Sequence, residues 1–221
     1  MPRAERILGN GITYHVVANC NGRGFLFKED ADFDAFLKHL EQCQKNWAFD
    51  LHGYSLLHSH IHLILTTHDN IFLDKVMYEI CQRFAFRHNR ENNQQGHFWK
   101  NRYFSKVILD DIYAIICLRY LHRNSIKAGL VQEAARWRWS CAKHYLAGDF
   151  PSMLTPLPSY MGLAEDMETR SKLYRRWLET PLISDEIEKH LMQSKIHTGS
   201  RRFQASMHTI IQPILSELTS K

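Results

Sequence analysis

Residues 48–67 constrain the fold more than any other part of the chain. They hold two strand-like runs, AFDLHGYSLL and IHLILTT, joined near Ser59. The second run stays apolar beyond His62, which marks a strand buried in a sheet. The flanking sequence supplies the partners such a strand needs. Residues 11–20 (GITYHVVANC) alternate and are rich in β-formers, so they read as a strand. Residues 31–47 place Phe33, Phe36, Leu37 and Leu40 at helical spacing behind Asp30 and Asp32. Residues 71–90 set Ile71, Val76, Ile80 and Phe84 along one side of a further helix, and NNQQG at 92–96 is a turn. A strand is expected over 99–109 and a helix over 111–128, closed by Gly129. The order β-α-β-β-α-β-α predicts an α+β fold, a ferredoxin-like antiparallel sheet with helices on one face.

Three prolines between residues 150 and 158 change the texture, and the residues beyond them read as short, charged, amphipathic helices. The expected division is one domain over 1–148 and a helical C-terminal extension over 149–221. Hydrophobic residues make up 44% of the 221 and charged residues 23%, so a real core is expected and wholesale disorder is not. No apolar run is long enough to span a membrane, and MPRAERILGNG lacks the apolar core of a secretory signal. The five scattered cysteines form no C-x-x-C pair and read as reduced thiols, so a cytoplasmic protein is expected.

The net charge of +5 is uneven. Between Lys75 and Lys143 there are 13 Lys and Arg against 5 Asp and Glu, a balance of +8, interleaved with Phe84, Phe86, Phe98, Trp99, Tyr103, Phe104, Trp137 and Trp139. Phosphate attraction combined with base stacking is how proteins hold single strands. A solvated basic surface over core aromatics would give the same composition.

Two short patterns carry chemistry. In His58-Ser59-His60-Ile61-His62 the strand alternation points His60 and His62 the same way and Ile61 the other, so two imidazoles can grip one metal ion. The same alternation aims His58 to their side. In Arg119-Tyr120-Leu121-His122-Arg123-Asn124, Tyr120 and Asn124 are four apart and share a helix face. A tyrosine hydroxyl can attack a phosphate, an asparagine oxygen can join the same metal, and Arg119, Arg123 and Lys127 can hold flanking phosphates. Taken singly, each pattern also fits ordinary structural residues. A third stretch, 96–104 (GHFWKNRYF), is basic and aromatic and suits a DNA-contacting loop that includes Trp99 and Arg102.

Together and in this order the segments resemble the single-tyrosine HUH transposases, and within them the REP-associated tyrosine transposases of the IS200-like group. PRAERIL with GITYHVVANCNGRG resembles their opening strand, LLHSHIHLIL their histidine-hydrophobe-histidine strand, and GHFWKNRYFSKVILDD their basic linker strand. RYLHRNSIKAGLV resembles their catalytic helix and WRWSCAKHYLAG the Trp-Ser-Ser-Tyr segment after it, with fainter echoes at residues 199–203. The resemblance covers about residues 2–148. It implies Tyr120 as nucleophile, His60 and His62 as metal ligands with Asn124 as the third, Mg²⁺ or Mn²⁺ as the ion, and single-stranded or hairpin DNA as substrate. Two positions depart from the family pattern: His58-Ser59 stands for a Pro-Asn pair and Ser125 for a proline. The implied activity is a strand-transferring endonuclease working through a 5′-phosphotyrosine. The alternative is a domesticated DNA- or RNA-binding regulator that no longer cuts. A monomer and a homodimer that exchanges the Tyr120 helix both fit.

Overall fold

The computed structural model describes residues 7–21 and 27–179. Residues 2–6, 22–24 and 199–203, which carry part of the resemblance, lie outside the described residues, as does the pair Arg201-Arg202. The chain forms two compact units. One comprises Met1–Val107 with Ser152–Thr155, the other Ile108–Pro151 with Pro156–Lys221.

The first unit holds strand β1 (Thr13–Asn19), helix α1 (Asp30–Asn46) and strands β2 (Phe49–Leu57) and β3 (His60–Thr67). Helices α2 (Leu73–Met77) and α3 (Phe84–Glu91) and strand β4 (Phe104–Ile108) come next. The strands lie in the order β2-β3-β1-β4, with β3 antiparallel to both β1 and β2. This is the ferredoxin-like antiparallel arrangement that the element order predicts. Register sorts the side chains onto two faces. Ala18, Val16 and Tyr14 sit opposite Ile61, Leu63 and Leu65, and all six are fully buried. Helix α1 brings Phe33, Phe36 and Leu40 to the core at helical spacing. Its start is fixed by a capping box, in which the Asp32 carboxylate accepts from the Glu29 backbone N–H at 3.0 Å. Phe27, Phe36, Phe84 and Phe98 interlock edge to face, with centroids 4.8–5.9 Å apart in their T-shaped pairs.

Two elements differ from expectation. The helix expected over 71–90 is interrupted by a π-helical stretch, Tyr78–Arg83. Backbone carbonyls there are engaged by distant side chains: His39 Nε2 lies 2.9 Å from the Glu79 oxygen, and the Trp99 indole N–H donates to Cys81 at 2.7 Å. The strand expected over 99–109 is regular only over Phe104–Ile108. Trp99, pinned by its indole, meets Cys20 in a single antiparallel bridge instead.

The second unit is helical: α4 (Asp111–Lys127), α5 (Ala142–Ala147), α6 (Pro158–Met161) and α7 (Met167–Glu179), with a 3-10 turn at Ala134–Arg136. Asp110 caps α4 by accepting from the Tyr113 N–H at 2.7 Å. Gly129, at φ 70°, ends the helix, and the Leu130 N–H donates back to Ser125 at 3.0 Å. The rings of Tyr145, Tyr160 and Tyr174 meet in a buried cluster. All five cysteines are buried and none is in a disulfide. Among the described residues no helix is long and apolar enough to cross a membrane.

Candidate active site

The sheet face opposite the aliphatic core carries a row of polar rings. On β3, His60 and His62 point the same way, with ring centroids 5.0 Å apart and planes at 77°. His62 is 2% exposed and His60 is half-buried. Ser59 Oγ lies 3.0 Å from His60 Nδ1. Across the β1 register His62 faces Val17, and two residues back on the same face stands His15. His15 Nε2 is 3.1 Å from His62 Nδ1, and the two rings are within 9° of parallel. Ser55, fully buried, sits directly across from His62 on β2.

Burial sets the protonation of this row. Desolvation pushes the His62 pKa well below its ordinary 6.5, helped by the neighbouring His15 and His60. Desolvation lowers His60 too, and it lowers His15 to about 4 with a further push from the Lys106 ammonium on β4. All three rings are therefore neutral at pH 7, the form in which imidazole ligates a metal. The donor chemistry of His60 and His62 fits a divalent cation as a partial set. Among the described residues no group of three or more His, Cys, Asp or Glu side chains could hold a metal ion.

His58 is not in this row, contrary to simple alternation. The chain turns at His58 and Ser59, and the His58 ring packs edge-on to Phe33 on the core side. Its Nδ1 lies 2.6 Å from the Phe27 carbonyl oxygen.

Tyr120 and Asn124 lie in the second unit, one turn apart on α4. Tyr120 is half-buried, and the Lys127 ammonium lies 4.9 Å from its ring centroid. The Asn124 Nδ2 donates to the Tyr120 carbonyl at 3.0 Å, which leaves Oδ1 as the side-chain atom suited to a cation. The other basic residues of α4 are engaged within this unit. Arg119 is 2% exposed, donates Nε–H to the Trp177 carbonyl at 3.0 Å and stacks over the Trp177 ring at 5.3 Å. Arg123 donates to the Leu178 carbonyl at 2.8 Å. Both guanidiniums thus meet the last turn of α7, where a positive charge is favoured. Between them His122 is fully buried, with Nδ1 2.7 Å from Tyr174 Oη and Nε2 3.1 Å from Cys141 Sγ.

In the 96–104 stretch of the first unit, Arg102 is exposed at a cavity of about 250 Å³ lined also by Tyr78, Gln82, Asn101 and Tyr103. Trp99 lines the same cavity but is only 7% exposed, and its indole N–H is committed to the Cys81 carbonyl, so it anchors this stretch. Sequence reasoning passes over His15 and Lys106. The alternation of TYHVVAN is the available signal for His15, but its pairing with His62 depends on register.

A ferredoxin-like α+β protein with paired neutral imidazoles on one sheet face is thus defined. The family model described as "Transposase IS200 like" matches residues 10–124, and the chain belongs to that family. The fold is similar to that of the REP-associated tyrosine transposase bound to a REP hairpin. The TM-score is 0.59 at 19% identity, over 71% of this chain and 93% of that one. A candidate transposase of Deinococcus radiodurans R1 is more distant, with a TM-score of 0.39 and 14% identity over 52% of this chain and 92% of that one. No curated protein matches.

Proposed function

We propose that the chain is a metal-dependent single-stranded DNA endonuclease and strand transferase that works on hairpin-bearing DNA through Tyr120. The observation that carries this reading is the His60–His62 pair, on one sheet face with ring centroids 5.0 Å apart and both pKa values lowered by burial, in a chain whose family is that of the IS200-like transposases. His60 and His62 would hold Mg²⁺ or Mn²⁺, with Asn124 Oδ1 as a third protein ligand. When bound, the ion supplies charge neutralisation at the scissile phosphate.

The chain's own groups do the rest. Tyr120 Oη gives up its proton and attacks phosphorus, the new Oη–P bond forms as the P–O3′ bond breaks, and the departing O3′ takes up a proton, so none is gained or lost overall. The product is a 5′-phosphotyrosine and a free 3′-OH. Attack by another 3′-OH reverses the step and joins new ends. One phosphoester replaces another each time, so no nucleotide cofactor is required. Arg102 and Lys127, both exposed, are the proposed phosphate contacts. Arg119 and Arg123 act on the substrate through α4, which they tie to α7. Residues 1–148 are proposed as the catalytic domain and 149–221 as its helical extension. A monomer with every catalytic group in one chain is the simpler assembly.

Labelled single-stranded hairpin DNA with Mn²⁺ tests the reading. Wild type is expected to cut, and His60→Ala and His62→Ala are expected to bind DNA without cutting. Equal cutting by all three would overturn the metal assignment. Binding by wild type without cutting, across several hairpins, would make the chain a DNA-binding regulator.

A further inference from the structure

We propose that His15 is a positioning residue that decides which nitrogen of His62 is offered to the cation. This inference rests on the reading of His60 and His62 as ligands. A neutral imidazole has one N–H and one in-plane lone pair. The contact between His15 Nε2 and His62 Nδ1, at 3.1 Å with near-parallel rings, is a ring-to-ring hydrogen bond that uses one of each. Two arrangements satisfy it. When His62 Nδ1 donates, His62 Nε2 keeps its lone pair and can ligate. When His62 Nδ1 accepts, Nε2 carries the proton and cannot. Ligation through Nε2 therefore requires His15 Nε2 to be the acceptor.

The contact is built into the sheet. His62 faces Val17 and His15 faces Ile64 in the β1–β3 register, so the two rings are diagonal neighbours on one face. Both are 2% exposed, which leaves little room for water to replace the His15 acceptor. A ligating histidine commonly donates its second N–H to an acceptor that fixes its tautomer and ring orientation. Here that acceptor is a second histidine from a different strand.

The test uses the full-length protein, with His15→Phe to keep a ring while removing the acceptor and His15→Gln to restore one through its amide oxygen. Melting temperatures establish that each variant folds. In the metal-free protein, long-range ¹H–¹⁵N spectra should show His62 protonated at Nδ1, and His15→Phe should lose that single tautomer. Mn²⁺ affinity, measured by the electron paramagnetic resonance of the free ion, should fall roughly 10- to 100-fold in His15→Phe and recover substantially in His15→Gln. A His62 protonated at Nε2 in wild type, or a His15→Phe affinity equal to wild type while His62→Ala loses binding, would overturn the positioning role alone. Equal Mn²⁺ binding by wild type and His62→Ala would overturn the ligand reading beneath it.

Discussion

Acid should destabilise this chain through histidines that fold as neutral rings. His122 is the clearest case, enclosed between Tyr174 and Cys141 with its pKa pushed down by burial to about 3. Because the folded value lies below the unfolded one, protonation favours the unfolded chain. The stability contribution is fully present above about pH 6.5 and is lost as the pH falls from there towards 3. At pH 5 the unfolded ring is largely protonated while the folded ring is not, a difference of about 2 kcal/mol. His15, lowered to about 4, has the same sign and adds a similar amount at that pH. Together they approach the whole stability of a marginal domain, about 5 kcal/mol. Urea unfolding of wild type and His122→Phe at pH 7.5 and pH 5.0 measures the effect. The variant is expected to be weaker at pH 7.5, having lost two buried contacts, yet to lose about 2 kcal/mol less than wild type on acidification. If both lose the same amount, His122 does not titrate as its burial requires.

The basic and aromatic residues divide into those that hold the fold and those that face solvent, and mutation should separate them. Arg119→Met removes a buried charge-assisted bond and a cation–π contact to Trp177, and should lower stability by about 2–3 kcal/mol in thermal melts without weakening DNA binding directly. Trp99→Phe removes the indole bond to Cys81 and should cost about 1 kcal/mol, with hairpin affinity within twofold of wild type. Arg102→Ala should leave stability unchanged, weaken hairpin binding in fluorescence anisotropy, and reduce the slope of log affinity against log salt by roughly 1. Loss of DNA affinity on Trp99→Phe with none on Arg102→Ala would invert this division.

The elements legible in the sequence are those governed by local periodicity. The alternation around Ile61 is enough to place His60 and His62 on one face, and the spacing of Phe33, Phe36 and Leu40 is enough to define α1. The features that are not legible depend on distant partners. The π-helical stretch sits where His39 and Trp99 reach backbone carbonyls, and neither contact has a local sequence signal. His58 leaves the histidine face because the chain turns there, which strand alternation does not anticipate. Helix spacing identifies Arg119 and Arg123 as basic neighbours of Tyr120, but only the position of α7 assigns their donors to its last carbonyls. His15 becomes visible only when strand register puts its ring beside His62.

The proposed covalent bond between Tyr120 and DNA can be trapped directly. Wild type and Tyr120→Phe would be incubated with Mn²⁺ and labelled single-stranded hairpin DNA, resolved on a denaturing gel, and the adduct mapped by mass spectrometry. A shifted, protease-sensitive band in wild type alone, with the nucleotide on Tyr120, is the expected result. Cleavage without an adduct, or equal cleavage by Tyr120→Phe, would contradict it and assign the attack to water.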